Sequence, residues 1–156
     1  MIYLRKVHDD DLSVFYGQQL DPQANYMAAF TAEDPTDRHT FDKHWQRILT
    51  DKGIVVRTIV FDDQIAGHIA SFERLGNLEV SYWVGRDYWG KGIATAALSE
   101  FLQMIEKRPL FARAASDNAG SIRVLEKCGF RKTGREKAFA NARGEEIEEI
   151  IFLLKN

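Results

Sequence analysis

A chain of 156 residues is long enough to bury about two thirds of its unfolded surface, which suits one domain over residues 1–156. With 28% charged residues and a formal charge of −2, nothing in its composition suggests an electrostatic surface for nucleic acid or membrane lipid. A single cysteine, Cys128, cannot close an internal disulfide. Together with the lack of a signal peptide and of any run near the roughly 20 apolar residues of a membrane span, this predicts a cytoplasmic protein, monomer or homodimer.

Ile2 to Val7 alternates as a strand, and Leu12 to Leu20 follows as a helix with Asp9, Asp10 and Asp11 at its positive end. Three consecutive acids can also suggest a metal site, but successive helical residues point in different directions, so the favourable dipole position is the reading preferred. Asp21 to Asp34 reads as an irregular loop with a helical turn. Thr36 or Asp37 then caps a second helix whose apolar stripe is Phe41, Trp45, Ile48 and Leu49. Ile54 to Phe61 and Ile65 to Glu73 form a hairpin around Asp62-Asp63-Gln64.

From Leu78 to Val84, apolar residues alternate with Glu79, Ser81 and Trp83, the period of a half-buried strand. The alternation ends at Gly85, and a helical period begins at Ile93 and runs to Ile105. Between them lie Gly90 and Gly92, a turn that brings backbone N–H groups and a helix dipole to one point. Such a turn suits a phosphate or pyrophosphate. Leu110 to Ala115 is a strand, Asn118 to Lys127 a helix stopped by Gly129, and two strands, Phe130–Phe139 and Glu146–Leu154, close the chain around Asn141 to Gly144.

Spacing separates the phosphate-binding turns. The dinucleotide fingerprint needs Gly or Ala where Thr95 stands and an acid near Ala112. The P-loop pattern matches Gly85, Gly90 and Lys91, but Gly92 occupies the position whose hydroxyl must bind Mg²⁺. A third pattern fits. Asp87-Tyr88-Trp89-Gly90-Lys91-Gly92 resembles the Arg/Gln-x-x-Gly-x-Gly/Ala signature of the GNAT superfamily of acyl-CoA-dependent N-acyltransferases, with Asp87 a departure at the first position. Asn118 to Phe130 resembles the Asn-x-x-Ser-x-x-x-Leu-x-Lys-x-Gly-Phe block of its ribosomal-protein N-terminal acetyltransferase branch, where that departure is frequent.

The resemblance implies an α/β fold: a GNAT-like mixed, mainly antiparallel sheet of about seven strands, with helices on both faces. It implies acetyl-CoA as donor, no metal, and a small-molecule or peptide amine as acceptor. Coenzyme A is expected on Trp89, Gly90, Lys91, Gly92, Ile93, Ala94 and Thr95, with its pantetheine on the backbone of Trp83, Val84 and Gly85 and on Asn118. Direct transfer needs a base and a group that hydrogen-bonds the departing sulfur. Glu79 is the first candidate base, with Glu73 and His68 behind it; the alternative for Glu79 is a solvated strand residue. Many superfamily members carry a Tyr seven residues after the motif Asn, where this chain has Leu125, so the sulfur falls to Ser121. Cys128 reads as a small core residue. Tyr26 and Phe30 are expected on the acceptor wall. The competing expectation is an acyl-CoA-binding sensor or interaction module that has lost turnover.

Overall fold

A computed structural model describes all 156 residues, Met1 to Asn156. Its strands are β1 (Ile2–Arg5), β2 (Val55–Phe61), β3 (Gln64–Arg74), β4 (Asn77–Val84), β5 (Leu110–Ala115), β6 (Arg131–Ala140) and β7 (Glu145–Leu154). They form a single sheet in the order β1-β2-β3-β4-β5-β7-β6. Every neighbouring pair is antiparallel except β4 and β5. The helices are α1 (Asp11–Gln19), α2 (Pro22–Ala28), α3 (Arg38–Thr50), α4 (Ile93–Met104) and α5 (Ala119–Lys127). None is long and apolar enough to cross a membrane.

The two faces of the sheet are dressed differently. Ala97, Leu98 and Phe101 of α4 and Leu125 of α5 pack with Ile59, Ile69, Val80, Leu110 and Phe152 into the main core. Each fully buried Leu, Ile, Val or Phe among them contributes about 1.5–3 kcal/mol. On the opposite face Phe15 of α1 and Phe41 and Trp45 of α3 pack with Val56 of β2. Asp62 and Asp63, at φ 48° and 65°, make the two-residue β2–β3 turn whose twist matches the strands.

Three local readings change. Residues 21–34, expected as mostly irregular, contain α2. The Asp21 side chain accepts from the Gln23 N–H at 3.0 Å and Pro22 takes the first helical position. Leu49, placed on the α3 stripe by its spacing, is 38% exposed, and Asp37 rather than Thr36 caps that helix. Of the three aspartates only Asp11 turns inward. It is buried against the Arg5 guanidinium at 2.7 and 3.0 Å, the His8 N–H at 2.8 Å and the Thr58 hydroxyl at 2.7 Å. Burial opposes its charge, but those donors outweigh burial and pull the carboxyl down to about 2. Asp11 is therefore an anchor of α1 on β1 and β2.

Candidate active site

The site grows out of the one parallel contact. β4 and β5 share a single registered pair, Glu79 with Phe111, after which the strands part while both continue. Parting opens a wedge at Trp83 and Val84. A 3₁₀ turn (Arg86–Tyr88) and the two glycines then lead into α4. Gly90 and Gly92 have φ of 76° and 74°, a conformation that costs an L-residue about 1–2 kcal/mol. A Cβ at either would meet no protein atom within 4 Å, so the space above the turn is open. The Gly92 carbonyl accepts the Ala96 N–H, while the N–H groups of Ile93 to Thr95 lie in the first turn, where a helix has no partner for them.

The turn borders a cleft of ≈ 630 Å³. Trp83, Val84, Trp89, Gly90, Gly92, Ile93, Ala94, Thr95, Asn118 and Ser121 all line it, so residues far apart in the chain meet in one place. Asn118 caps α5: its Oδ1 accepts from the Ser121 N–H at 3.2 Å, and its Nδ2 donates to the Met27 carbonyl at 3.2 Å, tying α2 over the cleft. From the other side, Arg86 pairs with Asp21 at 3.0 Å and donates to Gln23. The helix that the sequence reading missed is thus the cleft's third wall.

Four expected ligand or acceptor residues are not on that lining. Lys91 is exposed and holds its ammonium 5.9 Å from the centre of the Phe61 ring. The Gly85 N–H donates to the Ala66 carbonyl at 2.8 Å, and is therefore engaged within the protein. Tyr26 and Phe30 do not line this cleft. The Arg143 guanidinium lies 3.9 Å above the Tyr26 ring, while Phe30 packs on the cluster of Ala29, Ala115 and Ala140. Arg143 also donates to the Tyr26 carbonyl and pairs with Asp117, so the β6–β7 turn clamps α2 to the start of α5.

Glu79 is not solvated. It is 5% exposed and accepts from the Arg113 Nε at 3.3 Å; Arg113 also holds Glu136 at 2.9 Å and Glu149 at 3.3 Å. Burial raises the Glu149 carboxyl above its ordinary range, although Arg113 pulls against it. By strand alternation Glu79, Ser81 and Trp83 share one face, and Tyr82 the other. On that other face stands a residue outside the first-choice set. The Tyr82 hydroxyl is 2.8 Å from Ser121 Oγ, and both line the cleft. Burial is the main reason its phenol is pushed up to about 12, with the Ser121 contact opposing. Arg123 and Lys127 of α5 line the cleft as well. Their spacing from Gly120, three and seven residues on, is a helical face that the sequence displays. Leu125, in place of the superfamily's Tyr, is 1% exposed and belongs to the core. The Cys128 thiol sits 3.6 Å from the Thr95 carbonyl, and burial pushes it up, away from thiolate character.

A glycine turn at a helix N-terminus, opening beside two parted parallel strands, sets free backbone N–H groups and the positive end of a helix dipole at one end of the cleft, an arrangement that favours an anionic group. The family model described as an acetyltransferase (GNAT) domain matches residues 2–131, and this chain belongs to that family. It is similar to the uncharacterized N-acetyltransferase p20 of Bacillus licheniformis, 29% identical over 83 residues, which cover 51% of this chain and 47% of that protein. It is also similar to YdaF of Bacillus subtilis strain 168, whose name as a ribosomal N-acetyltransferase is provisional: 29% identity over 120 residues, covering 69% of this chain and 65% of YdaF. The chain thus spans less than two thirds of either curated relative. Among solved structures, Mycobacterium smegmatis RimJ in complex with CoA-disulfide superposes with a TM-score of 0.84 at 22% identity, over 99% of this chain and 81% of that one. RimL, a ribosomal L7/L12 alpha-N-protein acetyltransferase in complex with coenzyme A, gives 0.82 at 17%, over 99% and 93%. At these identities the likeness is one of fold.

Proposed function

We propose that this chain moves an acetyl group from acetyl-CoA to a primary amine on a small molecule or peptide, by direct attack and without a covalent enzyme intermediate. The observation that carries the reading is the cleft itself, which runs from the open N-terminal turn of α4 to the Ser121–Tyr82 pair beside the parted strands. The pyrophosphate lies on the N–H groups of the 90–95 turn, where the helix dipole favours negative charge. Arg123 and Lys127 add cationic partners that Lys91, turned to Phe61, does not. Pantetheine follows Asn118 and passes between β4 and β5, against the backbone of Trp83 and Val84.

The amine nitrogen attacks the thioester carbonyl carbon. An N–C bond forms, the C–S bond breaks, and the nitrogen gives up a proton. Glu79 stands on the face of β4 opposite Tyr82, so a donor from the cleft and an acceptor from the other face would meet at the strand. Its carboxylate receives the proton, directly or through water, in a charge balance set by Arg113. The departing thiolate takes a hydrogen bond from Ser121, whose oxygen accepts from Tyr82. A thiol with an ordinary pKa of about 8.5 leaves well enough that hydroxyl donation suffices.

The test is release of free thiol from acetyl-CoA against a panel of peptides, polyamines, amino acids and aminoglycosides, with coenzyme A affinity measured by calorimetry. Tight coenzyme A binding with no thiol release for any amine would leave an acyl-CoA sensor in place of an enzyme.

A further inference from the structure

α2 has seven residues, too few to hold a helix in water by itself, and only Ala24 and Asn25 of them are buried. Yet it supplies Gln23, Ala24, Met27 and Ala28 to the lining of the cleft. It ends on Ala29, whose φ of 67° an L-residue adopts only where its surroundings impose it. The imposing contacts come from the β6–β7 turn. The Ala142 N–H donates to the Ala29 carbonyl at 3.1 Å, and Asn141 Nδ2 to the Thr31 carbonyl at 2.8 Å. Arg143, in the same turn, makes the charge-assisted ones. Its side chain is 6% exposed, and its guanidinium lies 3.9 Å from the centre of the Tyr26 ring. Nε donates to the Tyr26 carbonyl at 2.7 Å, while Nη1 and Nη2 donate to the Asp117 carboxylate at 2.8 and 3.0 Å. A forked pair with a carboxylate is both strong and geometrically exacting. Asp117 precedes Asn118, whose side chain caps α5 at Ser121 and donates to the Met27 carbonyl. One guanidinium therefore ties α2 to the start of α5, two walls of the cleft, and is itself no part of the lining.

We propose that Arg143 is a positioning residue for the acyl donor: by fixing the distance between α2 and α5 it sets the width of the cleft along the pantetheine arm, without touching the ligand. The assignment rests on the acetyl-CoA reading above. The ties at the end of α2, from Tyr26 and Met27, run to Asp117 through Arg143 and to Asn118, beside the pantetheine arm, and none runs to the 90–95 turn that takes the pyrophosphate. Without the clamp α2 is seated for only part of the time, and the apparent Kd rises by the reciprocal of that fraction, so a seated fraction of about one tenth gives a tenfold rise. Bound donor seats α2 again, so turnover at saturation is spared. Charge alone does not replace the fork, because a lysine ammonium is a point charge without the planar geometry.

The experiment measures Kd by calorimetry for coenzyme A and for adenosine 3′,5′-bisphosphate, which lacks the pantetheine arm. It compares the parent with Arg143→Gln, Arg143→Lys and Asp117→Ala, with melting curves for each. Arg143→Gln should raise the coenzyme A Kd about tenfold and leave that of the bisphosphate within about twofold. In thiol release with the best amine of the panel, the KM for acetyl-CoA should rise to match, with kcat within about twofold of the parent. Arg143→Lys should remain at least about fivefold weaker than the parent toward coenzyme A. An unmoved coenzyme A Kd in folded Arg143→Gln overturns the assignment. An equal loss for both ligands does so too, since it marks general damage or long-range attraction by the charge, and so does full recovery in Arg143→Lys. The Asp117 carboxylate is 55% exposed, so its removal offers a test that does not depend on Arg143→Gln folding. Asp117→Ala should weaken coenzyme A about threefold with the bisphosphate unmoved, and a coenzyme A Kd equal to the parent's overturns the clamp. A parent that fails to bind coenzyme A overturns the donor reading instead, and this one with it; the parent's own isotherm tells the two failures apart.

Discussion

Removing the hydroxyls of Ser121 and Tyr82 one at a time, and then together, tests how the sulfur departs. Ser121→Ala deletes a hydrogen bond to a developing thiolate. Bonds to charged groups are worth about 1.5–3 kcal/mol, so turnover should fall roughly 10- to 100-fold. Tyr82→Phe deletes only the support behind Ser121, a neutral bond of about 0.5–1.5 kcal/mol at 2.8 Å, for a roughly 2- to 10-fold loss. Because Tyr82 acts through Ser121, the double variant should be no slower than Ser121→Ala alone. The phenol is pushed up to about 12, so it stays protonated through pH 6–9 and the Tyr82→Phe loss should be flat over that range. Ser121→Ala also leaves the buried Tyr82 hydroxyl with only the Ser121 carbonyl at 3.4 Å, so melting curves must accompany the kinetics. The assay is steady-state thiol release with acetyl-CoA and the best amine of the panel, with coenzyme A Kd expected within twofold of the parent. A Ser121→Ala rate within twofold refutes the role of Ser121. Losses that multiply in the double variant refute the relay.

The turn is tested by Gly92→Val. Its φ of 74° costs the valine about 1–2 kcal/mol of folding stability or more, but no protein atom opposes the Cβ. Coenzyme A affinity should therefore fall at least about tenfold beyond any loss of folded protein, and unchanged calorimetry on a folded variant would move the site elsewhere. Glu79→Gln should lower kcat/KM by about 10²-fold at pH 7 and by less as pH approaches the amine's pKa near 10; an equal loss at every pH would mark a structural role beside Arg113. Acid stability should decline in two windows. His68 has a folded value near 4 below its ordinary 6.5, so the unfolded chain protonates first and stability drops as pH falls from 6.5 to 4. Asp11, lowered from 3.8 to about 2, contributes about 2 kcal/mol above pH 4 that is lost between pH 4 and 2. Urea midpoints across pH should show both declines in the parent, His68→Phe losing the first and Asp11→Asn the second. A parent midpoint flat from pH 6.5 to 4 would contradict the burial of His68.

The turn and helix that border the cleft were legible because their signals are local. The change from period two to a helical period at residues 78–105, the two glycines between, and the Asn118 cap all act within a few residues, and backbone sterics and unpaired N–H groups oblige them to do so. The seven strands emerged at nearly their observed bounds for the same reason. Only tertiary structure decided what each side chain meets. Glu79 carries no local mark of its burial; that comes from Arg113, 34 residues on, brought beside it by the parallel pairing of β4 and β5. Ser121 finds Tyr82 across 39 residues, and Tyr26 meets Arg143 across 117. Lys91 turns to Phe61 because the end of β2 brings that ring beside the turn, where it also meets Tyr88. Sequence period specifies which face a residue occupies, but the partner on that face is set by sheet order and helix docking, and burial, charge pairing and the shape of the cleft all follow from the partner.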